Sequence, residues 1–593
     1  MSEATTPTHH PREKEDAVSR EWVADFETTT QADYEVDGYV RVFLWHARQM
    51  YGTDERLGYD IDSFISFLSE GNVKRIWFHN LRFDGSYILN RILQLGWTYS
   101  DKREQGKNTY SHIVTKQGAW MVLTLRFNTG SHKSKKNRCV VKICDSAKKF
   151  PGFSLEKIAK IYGIEGKSSL YLGYRGDDYV VTEEDIARVR GDTRILKVAM
   201  EDLIGRGMNR LTMSGDALDM YKSTLPKGMF EKLFPKLSLE DDKAIRHAYK
   251  GGWSYVNPKY QGKNVEHVRV FDVNSMYPWA MYNMPMPYGK PWISDVEPND
   301  GVYIVDLNCE FSLKPGKFPS IQLKNNIRYS DTEYLAHSDG LTHLTLTNVD
   351  YDLFRENYNI YNLSIDRYIC FNATTDLFKD YIDRWMAEKE RASREGDEAS
   401  KSVAKRYLNS LYGRFGMNPV KDCKMSRLED GIIKWDEEEI EGDGGFLPVA
   451  CFVTAYGRAK CIRAACSYGD GFVYADTDSV HVISDEHLLE EHPTHLGAWK
   501  LESESEYGRY LRPKTYVHAH RNYIAEFFTH EDQYEIEEVK CAGMPDSCKI
   551  HVDWDNFEIG AEFEGKLTGK QVPGGYCLID IPFRIKVGEL IYD

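Results

Sequence analysis

Several features that define large protein classes are missing from this 593-residue chain. No apolar run approaches the roughly 20 residues that a membrane-spanning helix needs, and the start of the chain carries no apolar stretch typical of secretory signals. None of the 11 cysteines forms a C-x-x-C pair, so a zinc ribbon is not expected and the thiols are predicted to be reduced. We therefore expect a cytosolic protein with no membrane partner.

An excess of positive charge is also missing. Lys and Arg number 76 against 91 Asp and Glu, which gives a net charge of −15. Because phosphate contacts need Lys and Arg, this sum alone argues against nucleic-acid binding. A metal-dependent nuclease or polymerase nevertheless concentrates carboxylates in its sites and can stay acidic overall. Two local basic clusters exist, for which a solvated surface is the plainer explanation. They are Lys133, Lys135, Lys136 and Arg138, and Lys401, Lys405 and Arg406.

The order of strand-like and helical runs predicts several domains, since a single core rarely serves more than about 250–300 residues. Alternating runs from Trp22 to about Arg210 are typical of an α/β domain. Residues 284–376 look like a strand-rich insertion, residues 421–447 like a hairpin, and the segment from Ala542 has short β-like runs with a turn at Pro573-Gly574-Gly575. The predicted strands are Trp22–Phe26, Arg75–Phe78, Trp120–Phe127 and Val140–Cys144, and the predicted helices are Ile61–Ser69, Gly85–Gln94, Glu183–Glu201, Leu377–Arg394 and Ser400–Phe415.

Carboxylates at three places in the first domain form one candidate site. Asp25 and Glu27 close the first strand, and residues i and i+2 of a strand point to the same face, so the pair can grip one metal ion. Asp84 follows the next strand, and Asp192 falls in a late helix. A lone D-x-E pair is usually surface, but carboxylates on separate elements are what two-metal phosphodiester hydrolysis requires. Hard oxygen ligands suit Mg²⁺ or Mn²⁺.

A second acidic site is predicted in the other half of the chain. Asp272 follows the apolar run Val268–Phe271, and Asp476 and Asp478 lie between the apolar runs Gly471–Val473 and Val480–Val482. An acidic pair inside an apolar hairpin is costly to desolvate unless a cation neutralises it. A metal site for nucleotidyl transfer, with Asp272 as a distant third ligand, therefore explains the pattern better than a surface turn.

A helix between these segments carries residues suited to a nucleotide. Lys405, Asn409 and Tyr412 fall at i, i+4 and i+7 and share a face. A Lys there can hold triphosphate oxygens and a Tyr can stack on a base pair. Gly413 predicts the close approach of another backbone. An amphipathic surface helix is the alternative.

Together these motifs resemble the family B DNA polymerases, and within them the protein-primed phage group of the phi-29 type. The resemblance runs from about Trp22 to the turn near residue 575, and the motifs occur in family order, which leaves little room for chance. The matching segments are Asp25–Thr30, Phe78–Asn80, Phe83–Gly85, Tyr249–Gly252, Asp272–Pro278, Asn409–Gly413, Thr454–Arg458, Asp476–Ser479, Lys514–Tyr516 and Lys540–Met544.

The resemblance implies a multidomain α/β fold, with an RNase H-like 3′→5′ exonuclease domain and a right-hand polymerase of palm, fingers and thumb. It also implies two subgroup insertions, one that grips a terminal protein and one that closes a ring around DNA. The implied divisions are a flexible tail at 1–20, the exonuclease domain at 21–210, the palm at 211–283 and 449–541, the insertions at 284–376 and 417–448, the fingers at 377–416 and the thumb at 542–593.

The resemblance further implies a role for each motif residue, with two divalent ions, Mg²⁺ or Mn²⁺, in each active site. Asp25, Glu27, Asp84 and Asp192 would be the catalytic metal ligands of the exonuclease, and Thr28, His79, Asn80, Phe83, Ser146 and Thr212 would hold the 3′ strand. The polymerase metals would bind Asp272, Val273 and Asp478, with Asp476 close by as a further catalytic residue. The nucleotide would contact Val273, Met276, Tyr277 (the gate against a ribose 2′-hydroxyl), Lys405, Asn409 and Tyr412. Template and primer would contact Tyr249, Gly251, Gly252, Arg458, Lys514 and Tyr516.

The expected function is therefore protein-primed, processive, strand-displacing replication of a phage-type genome with proofreading, in the cytoplasm of an infected bacterial host. The expected partners are primer-template DNA, dNTPs and a terminal protein, and the enzyme is expected to be monomeric. Two alternatives stay open, namely a metal-dependent 3′→5′ exonuclease whose carboxyl-terminal region only binds DNA, and a single-strand binding protein that stacks bases on its aromatics.

Three departures from the family pattern concern the exonuclease. Arg188 stands where the third exonuclease motif has Tyr, Ala147 stands where the family has Leu, and Lys167 is one residue out of register for the exonuclease lysine. We therefore expect altered, slower hydrolysis.

Overall fold

The computed structural model describes residues 20–29, 39–100, 107–128, 139–166, 175, 179–322, 334–521 and 534–586. Residues 1–19 of the expected tail, the basic cluster at 133–138, Thr30 and Lys167 lie outside these residues. No helix of the described part of the chain is both long and apolar enough to cross a membrane.

The amino-terminal part is built on a mixed sheet with helices on its faces. Its described elements are β1 (Glu21–Thr28), β2 (Val42–Gln49), β3 (Glu55–Gly58), α1 (Ile61–Ser69), β4 (Arg75–Phe78), α2 (Leu81–Gln94), β5 (Thr98–Tyr99), β6 (Thr109–Val114), β7 (Trp120–Asn128), β8 (Cys139–Asp145), a 3₁₀ turn (Ser146–Lys148), α3 (Leu155–Ile161) and α4 (Glu183–Gly205). The strand order is β3-β2-β1-β4-β8-β7-β6-β5, with β1 parallel to β4. Helix α4 packs against β1, the strand that carries Asp25 and Glu27, and against β2, and its Asp192 is buried.

Three helices lead into a second sheet, which is interrupted by a strand-rich insertion. These elements are α5 (Met213–Thr224), α6 (Met229–Leu233), α7 (Leu239–Arg246), β9 (Trp253–Val256), β10 (Asn264–Val273), α8 (Met276–Asn283), β11 (Met286–Ser294), β12 (Val302–Leu313), β13 (Thr342–Thr347), α9 (Asn348–Asn357) and β14 (Tyr358–Thr374). The insertion forms its own sheet in the order β11-β14-β12-β13.

The remaining elements are a helix pair, a hairpin, a buried helix and the rest of the second sheet. They are α10 (Lys379–Glu395), α11 (Glu398–Phe415), β15 (Val420–Glu429), β16 (Ile432–Glu441), α12 (Leu447–Tyr468), a 3₁₀ turn (Gly469–Gly471), β17 (Phe472–Thr477), β18 (Ser479–Val482), β19 (Trp499–Arg512), β20 (Thr515–Arg521), β21 (Tyr534–Cys541), α13 (Asp546–Lys549), β22 (Glu562–Phe563), β23 (Leu567–Val572), β24 (Gly575–Asp580) and β25 (Phe583–Arg584).

The second sheet is the scaffold of the polymerase-like motifs. Its order is β21-β20-β19-β10-β18-β17-β9, so strands from distant parts of the chain alternate in space. Helix α12 packs against β17, β18, α8 and α11. It is apolar on nearly all sides, as expected of a helix inside a core.

The strands and helices predicted from the sequence are confirmed within a few residues, and so are the hairpin near 421–447 and the Pro-Gly-Gly turn between β23 and β24. A short charged turn separates the two helices α10 and α11. Gly396 ends α10 in the left-handed region (φ 70°), and the side chain of Asp397 caps α11 by accepting a hydrogen bond from Ser400 N. Helix α12 and strands β2 and β6 were not predicted.

Candidate active sites

Residues from five adjacent strands line up as one rung of the second sheet. Asp272 on β10 lies between Lys500 on β19 and Ser479 on β18. Ser479 is in turn opposite Asp476 on β17, which is opposite Ser254 on β9. Because directly opposite residues of antiparallel strands point to the same face, this rung presents two carboxylates and a lysine to one side of the sheet.

The acidic hairpin is bound to the end of β10. Asp478 separates β17 from β18, its main-chain oxygen accepts a 2.8 Å hydrogen bond from Val273 N, and its own N–H donates to Asp476 O at 2.7 Å. Thr477 has a left-handed backbone (φ 64°), which turns the chain sharply at this point. The predicted convergence of Asp272 with the Asp476–Asp478 hairpin is therefore confirmed.

Burial, followed by repulsion between neighbouring carboxylates, sets the electrostatics of this cluster. Burial raises the pKa of Asp272 to about 7, Asp478 and Glu502 raise it as well, and Lys500 opposes them. Burial, followed by the charge of Asp476, also raises the pKa of Asp478. Half-buried carboxylates that repel one another bind a cation favourably, because the cation removes the repulsion. The oxygen donors present thus fit a hard divalent ion.

Asp476 is held differently from the other two carboxylates. Its Oδ1 accepts hydrogen bonds from Ser254 Oγ at 2.7 Å and from Lys514 Nζ at 2.6 Å. No group of three or more His, Cys, Asp or Glu side chains in the described residues has the spacing of a metal cluster. The two carboxylates of this cluster that are not tied up in this way, Asp272 and Asp478, are the candidate metal ligands of the second sheet.

The helices opposite the rung carry the predicted nucleotide contacts. Lys405 and Asn409 are exposed on α11, on the same face as Tyr412. The rings of Tyr412 and Tyr277 pack together with centroids 4.4 Å apart. Burial lowers the pKa of Lys389 on α10, and so do the charges of Lys405, Lys500 and Lys401. Several lysines therefore border the same space.

The amino terminus of α8 also faces this region. Ser275 precedes the helix in the left-handed region (φ 52°) and, within the described residues, no side chain caps the helix start. The first amides of the helix, at Met276 and Tyr277, carry the positive end of the helix dipole. Such a terminus suits the phosphate group of a ligand.

The carboxylates predicted for the exonuclease site of the first domain differ in burial. Asp25 and Glu27 share the half-buried face of β1, whereas Asp84 on α2 and Asp192 on α4 are buried. Arg175 Nη1 donates to Glu27 Oε2 at 2.7 Å, so an arginine already neutralises one of the predicted metal ligands.

Arg188, the residue found where the family has Tyr, joins the same ion-pair cluster. Its Nη1 lies 3.9 Å from Glu27 Oε2 and 3.7 Å from Asp185 Oδ1, and Asp185 also accepts a 2.8 Å hydrogen bond from Arg175. Two guanidinium groups therefore lie within 4 Å of Glu27 Oε2, an atom predicted to bind a metal ion.

Four of the six residues predicted to hold a 3′ strand, His79, Asn80, Phe83 and Ser146, lie at or near the start of α2. His79 Nδ1 is 3.0 Å from Ser146 Oγ, and Asn80 N donates to Asp145 Oδ1 at 3.0 Å. Asn80 is exposed in the left-handed region (φ 66°), and Phe83 is half-buried one turn further along the helix. Two segments distant in sequence thus meet at the start of α2.

The hairpin Val420–Glu441 docks on this first domain. Ser426 Oγ lies 3.0 Å from Tyr110 Oη and 2.9 Å from His112 Nε2, both on β6. At the tip, Gly431 O accepts a 2.7 Å hydrogen bond from Asn90 on α2. Asp430 and Gly431 both have positive φ, as the two central residues of a type I′ turn require.

The carboxyl-terminal hairpin β23–β24 meets the same surface. Val40 N donates to Pro573 O at 3.0 Å, Gly574 N donates to Gly431 O at 3.3 Å, and Tyr87 Oη donates to Tyr576 O. A Cβ on Gly574 would lie 2.2 Å from Val40 O, so only glycine fits this turn. The first domain and the two hairpins therefore contact one another in turn.

Comparisons with known proteins agree with this geometry. Residues 201–490 match a family model described as DNA polymerase type B, organellar and viral. The DNA polymerases of Bacillus phages M2 and phi29 are 37% and 35% identical to the chain, which aligns over 95% of its length with 99% and 98% of theirs. The DNA polymerase of Streptococcus phage Cp-1 is 30% identical over 86% of this chain and 87% of its own. The chain belongs to the phi29-type family B DNA polymerases.

The fold of the polymerase is likewise similar to solved structures of phi29 DNA polymerase. In its ternary complex with primer-template DNA and incoming nucleotide substrates, that protein matches 95% of this chain over 100% of its own, with 34% identity and a TM-score of 0.85. The post-translocation binary complex gives a TM-score of 0.86 at 33% identity. The predicted fold class, an exonuclease-type α/β domain joined to a palm, fingers and thumb, is confirmed.

The prediction that Arg458 contacts DNA does not fit the structure of the polymerase. Its guanidinium is 2% exposed and forms a buried ion pair with Asp350, the closest contact being 2.7 Å. It also donates to the carbonyls of Lys250 and Gly251 at 2.8 and 2.7 Å. Arg458 therefore positions the segment around Gly251 from inside the protein.

Other predicted contacts involve side chains with little accessible surface. Val273 and Met276 are 1% and 2% exposed, Ser146 is 0% exposed, and Thr28 and Tyr516 are each 7% exposed. Contacts from these residues to DNA or nucleotide would have to come from main-chain atoms or a small exposed edge. Lys514, by contrast, is exposed at the end of β19 and reaches Asp476.

In the segment predicted to contact the template, Gly252 lies against the acidic hairpin and Tyr249 lies against the end of helix α11. A Cβ on Gly252 would lie 2.7 Å from Thr477 Cγ2, so this glycine lets the chain approach the hairpin. Tyr249 lies against Gly416 in the same way. Gly251 has open space around it. These contacts connect the template segment to the catalytic rung.

Two further expectations change. The hydroxyl of Thr212 accepts a hydrogen bond from Gly215 N at 3.1 Å and so caps α5, a structural role that competes with strand binding. Gly413 has no heavy atom within 4 Å of its Cβ direction, so no backbone of the described chain approaches it closely. Arg406 of the basic cluster lies over the Phe153 ring, 3.2 Å from its centroid.

The sequence reasoning missed several residues of the two sites. Burial, Lys405 and Lys500 lower the pKa of Lys389, and Glu502 adds negative charge beside Asp272. Gly457 lets Met276 pack against α12, since a Cβ there would lie 2.7 Å from Met276 Cε. A glycine inside an otherwise apolar helix signals such a close approach, whereas the lysines show no local pattern.

Proposed function

We propose that this polymerase replicates a phage-type genome by protein-primed, processive, strand-displacing synthesis, and that its amino-terminal domain removes mispaired 3′ ends. The observation that carries the polymerisation chemistry is the rung in which Asp272 lies beside the Asp476–Asp478 hairpin. Primer-template DNA and dNTPs are the proposed substrates, supported by the similarity to phi29 DNA polymerase in complex with both. Phage relatives support the cytoplasm of an infected bacterium as the place of action.

Asp272, Asp478 and the Val273 carbonyl would hold two divalent ions, Mg²⁺ or Mn²⁺, which when bound would neutralise the triphosphate and activate the primer 3′-hydroxyl. The primer 3′-hydroxyl would lose its proton to solvent as its oxygen forms a bond to the α-phosphorus and the bond to the leaving pyrophosphate breaks. Asp476, tethered through Ser254 and Lys514, keeps the hairpin in register with β10. These residues supply position and charge around the reacting phosphorus.

The helices would supply the nucleotide pocket. Lys405 and Lys389 would bind phosphate oxygens, as would the amides at the start of α8. Tyr277, in contact with Tyr412, would be the gate against a 2′-hydroxyl, and Asn409 lies on the same face as Lys405. The half-buried ring pair supports a rigid floor under the sugar and the new base pair.

Hydrolysis of the primer end would use Asp25, Glu27, Asp84 and Asp192 as ligands of Mg²⁺ or Mn²⁺. His79, Asn80 and Phe83 would bind the frayed strand beside them. The ion pairs of Glu27 with Arg175 and Arg188 predict that this site loads a cation less readily than the polymerase site does.

The docked hairpins support the proposed ring. The hairpin 420–441 and the carboxyl-terminal hairpin contact the first domain and each other. A DNA duplex enclosed by such a ring would remain bound while many nucleotides are added.

We assign the exonuclease domain to 21–210, the palm to 211–283 and 449–541, the fingers to 377–416, the thumb to 542–593, and insertions to 284–376 and 417–448. The insertion at 284–376 is the proposed contact of a terminal protein.

Extension and degradation of a labelled primer-template, with and without dNTPs, test the main claims. With Mg²⁺ the enzyme should extend the primer when dNTPs are present and shorten it when they are absent. Asp478→Ala should lose extension while Asp470→Ala, an exposed aspartate just before β17, should keep it. Undiminished synthesis by Asp478→Ala would remove the basis of the proposal.

Two finer claims have separate tests. The alternative, an exonuclease whose carboxyl-terminal part only binds DNA, predicts degradation but no dNTP-dependent extension. Protein priming predicts that the purified enzyme attaches a labelled deoxynucleotide to its terminal protein. If no candidate terminal protein accepts a nucleotide, the priming claim fails and polymerisation stands.

A further inference from the structure

Lys500 stands at the junction between the catalytic carboxylates and the lysines of the helix pair. It lies directly opposite Asp272 in the sheet, and its Nζ is 3.6 Å from Asp272 Oδ1. Its side chain is 36% exposed, so the ammonium group is partly open to solvent at the mouth of the site. No motif of the sequence includes this residue.

The helix pair approaches the same space from the other side. Lys389 has its pKa lowered first by burial, then by Lys405 and by Lys500, and less strongly by Lys401. Lys500 is the member of this group that comes from the palm sheet. A space bordered by several ammonium groups attracts a polyanion, and Asp272 offers only a single negative charge to Lys500.

We propose that Lys500 binds the phosphates of the incoming nucleotide. In the free enzyme it neutralises Asp272, and when the nucleotide binds it exchanges that carboxylate for an oxygen of the β- or γ-phosphate. The exchange replaces one ion pair with another and moves no proton. A lysine suits it, because its ammonium is a point charge on a flexible stem and needs no fixed fork of partners. The inference rests on the polymerase site proposed above.

The competing explanation is that Lys500 only neutralises Asp272. The two explanations predict different kinetic effects when the positive charge of Lys500 is removed. A phosphate contact made equally in the ground state and the transition state changes nucleotide affinity and KM but not kcat. A pure counter-ion of Asp272 changes the protonation of that carboxylate and leaves nucleotide affinity alone.

Lys500→Gln tests this, because glutamine keeps much of the length and removes the charge. Equilibrium binding of a dNTP to the enzyme with a dideoxy-terminated primer-template in Ca²⁺ gives an affinity without turnover. We expect it to weaken about tenfold, the usual effect of losing one charge-assisted hydrogen bond, with an equal rise in KM for extension in Mg²⁺. Lys500→Arg should recover part of the loss, and the exposed Lys263→Gln should match the wild type.

Three outcomes would overturn the proposal. Unchanged nucleotide affinity together with a kcat that is low at acidic pH and recovers as the pH rises would make Lys500 a counter-ion only. Unchanged affinity and kinetics would remove any role. Weaker primer-template binding with normal nucleotide binding would assign the charge to DNA. Asp478→Ala, assayed in parallel, separates these results from failure of the polymerase site itself, because its full activity would contradict the site and not Lys500 alone.

Discussion

Replacing Arg458 with Met would remove a guanidinium that is 2% exposed and fully engaged. Its Nε and Nη2 donate to Asp350 at 3.1, 3.0 and 2.7 Å, and its Nη1 donates to the carbonyls of Lys250 and Gly251. Methionine fills a similar volume but donates no hydrogen bond. Asp350 would keep the 2.7 Å hydrogen bond that it accepts from the Thr347 hydroxyl. Among the contacts described, it would lose its only buried positive partner, the guanidinium of Arg458.

The size of the effect follows from this burial. Removing one partner of a buried ion pair costs about 3–5 kcal/mol, because the other charge stays in a medium that solvates it poorly. Arg463 on the same helix provides the matched control, since its ion pair with Glu356 at 2.6 Å is half exposed. Arg463→Met should cost less than about 1 kcal/mol. The double variant Arg458→Met with Asp350→Leu should cost clearly less than the sum of its two single changes.

Urea unfolding followed by tryptophan fluorescence measures the stability, and primer-template binding at several salt concentrations measures the role in DNA contact. An arginine that contacts a phosphate contributes about 0.9 to the slope of log K against log salt for duplex DNA. We expect this slope to be unchanged in Arg458→Met. If Arg458→Met were as harmless as Arg463→Met, or if it reduced the slope, the internal role assigned to Arg458 would be refuted.

Three further predictions concern the active sites. Gly252→Ala should lower kcat for extension by up to about 100-fold, because its Cβ would push Thr477 and shift the acidic hairpin. With its pKa near 7, Asp272 takes up a proton as the pH falls, so the Mg²⁺ concentration for half-maximal extension should rise about tenfold from pH 8 to pH 6. Arg188→Tyr should speed degradation of a labelled single strand about tenfold, because it removes a cation 3.9 Å from Glu27.

Each of these has a result that would count against it. Normal extension by Gly252→Ala would mean that the hairpin tolerates displacement. A Mg²⁺ requirement that does not change over this pH range would show that the protonation of Asp272 does not limit cation binding. An Arg188→Tyr variant that degrades DNA no faster, with unchanged affinity for single strands, would mean that the arginine does not restrain Glu27.

The acidic residues of the second sheet could be predicted because of the apolar residues on either side of them in the sequence. Asp476 and Asp478 interrupt runs that are buried on both sides, and only a cation or partner makes such a placement tolerable. The pairing of β10 with β19, by contrast, depends on contacts between distant parts of the chain. A shift of one residue would turn Lys500 to the other face, so local sequence does not report its place beside Asp272.

Arg458 was misinterpreted for a related reason. Its motif, Thr454–Arg458, resembles a DNA-contacting segment of the family, and arginine is usually exposed. The surrounding sequence of α12 is apolar on nearly all sides, which predicts a buried helix, and a buried arginine needs a carboxylate partner. That partner, Asp350, lies on α9 of the insertion and could not be identified before the fold was known.

The cations beside the two sets of carboxylates differ in kind, and this difference bears on function. At the polymerase site Lys500 and Lys514 are 36% and 51% exposed, and lysine ammonium groups exchange partners easily. At the proposed exonuclease site Arg175 is 4% exposed, and its guanidinium group forms ion pairs with both Glu27 and Asp185. Releasing Glu27 would leave a buried guanidinium with one partner fewer, which costs more than moving a solvated ammonium. We therefore expect the polymerase site to bind cations more readily than the proposed exonuclease site, where a cation would compete with Arg175 for Glu27.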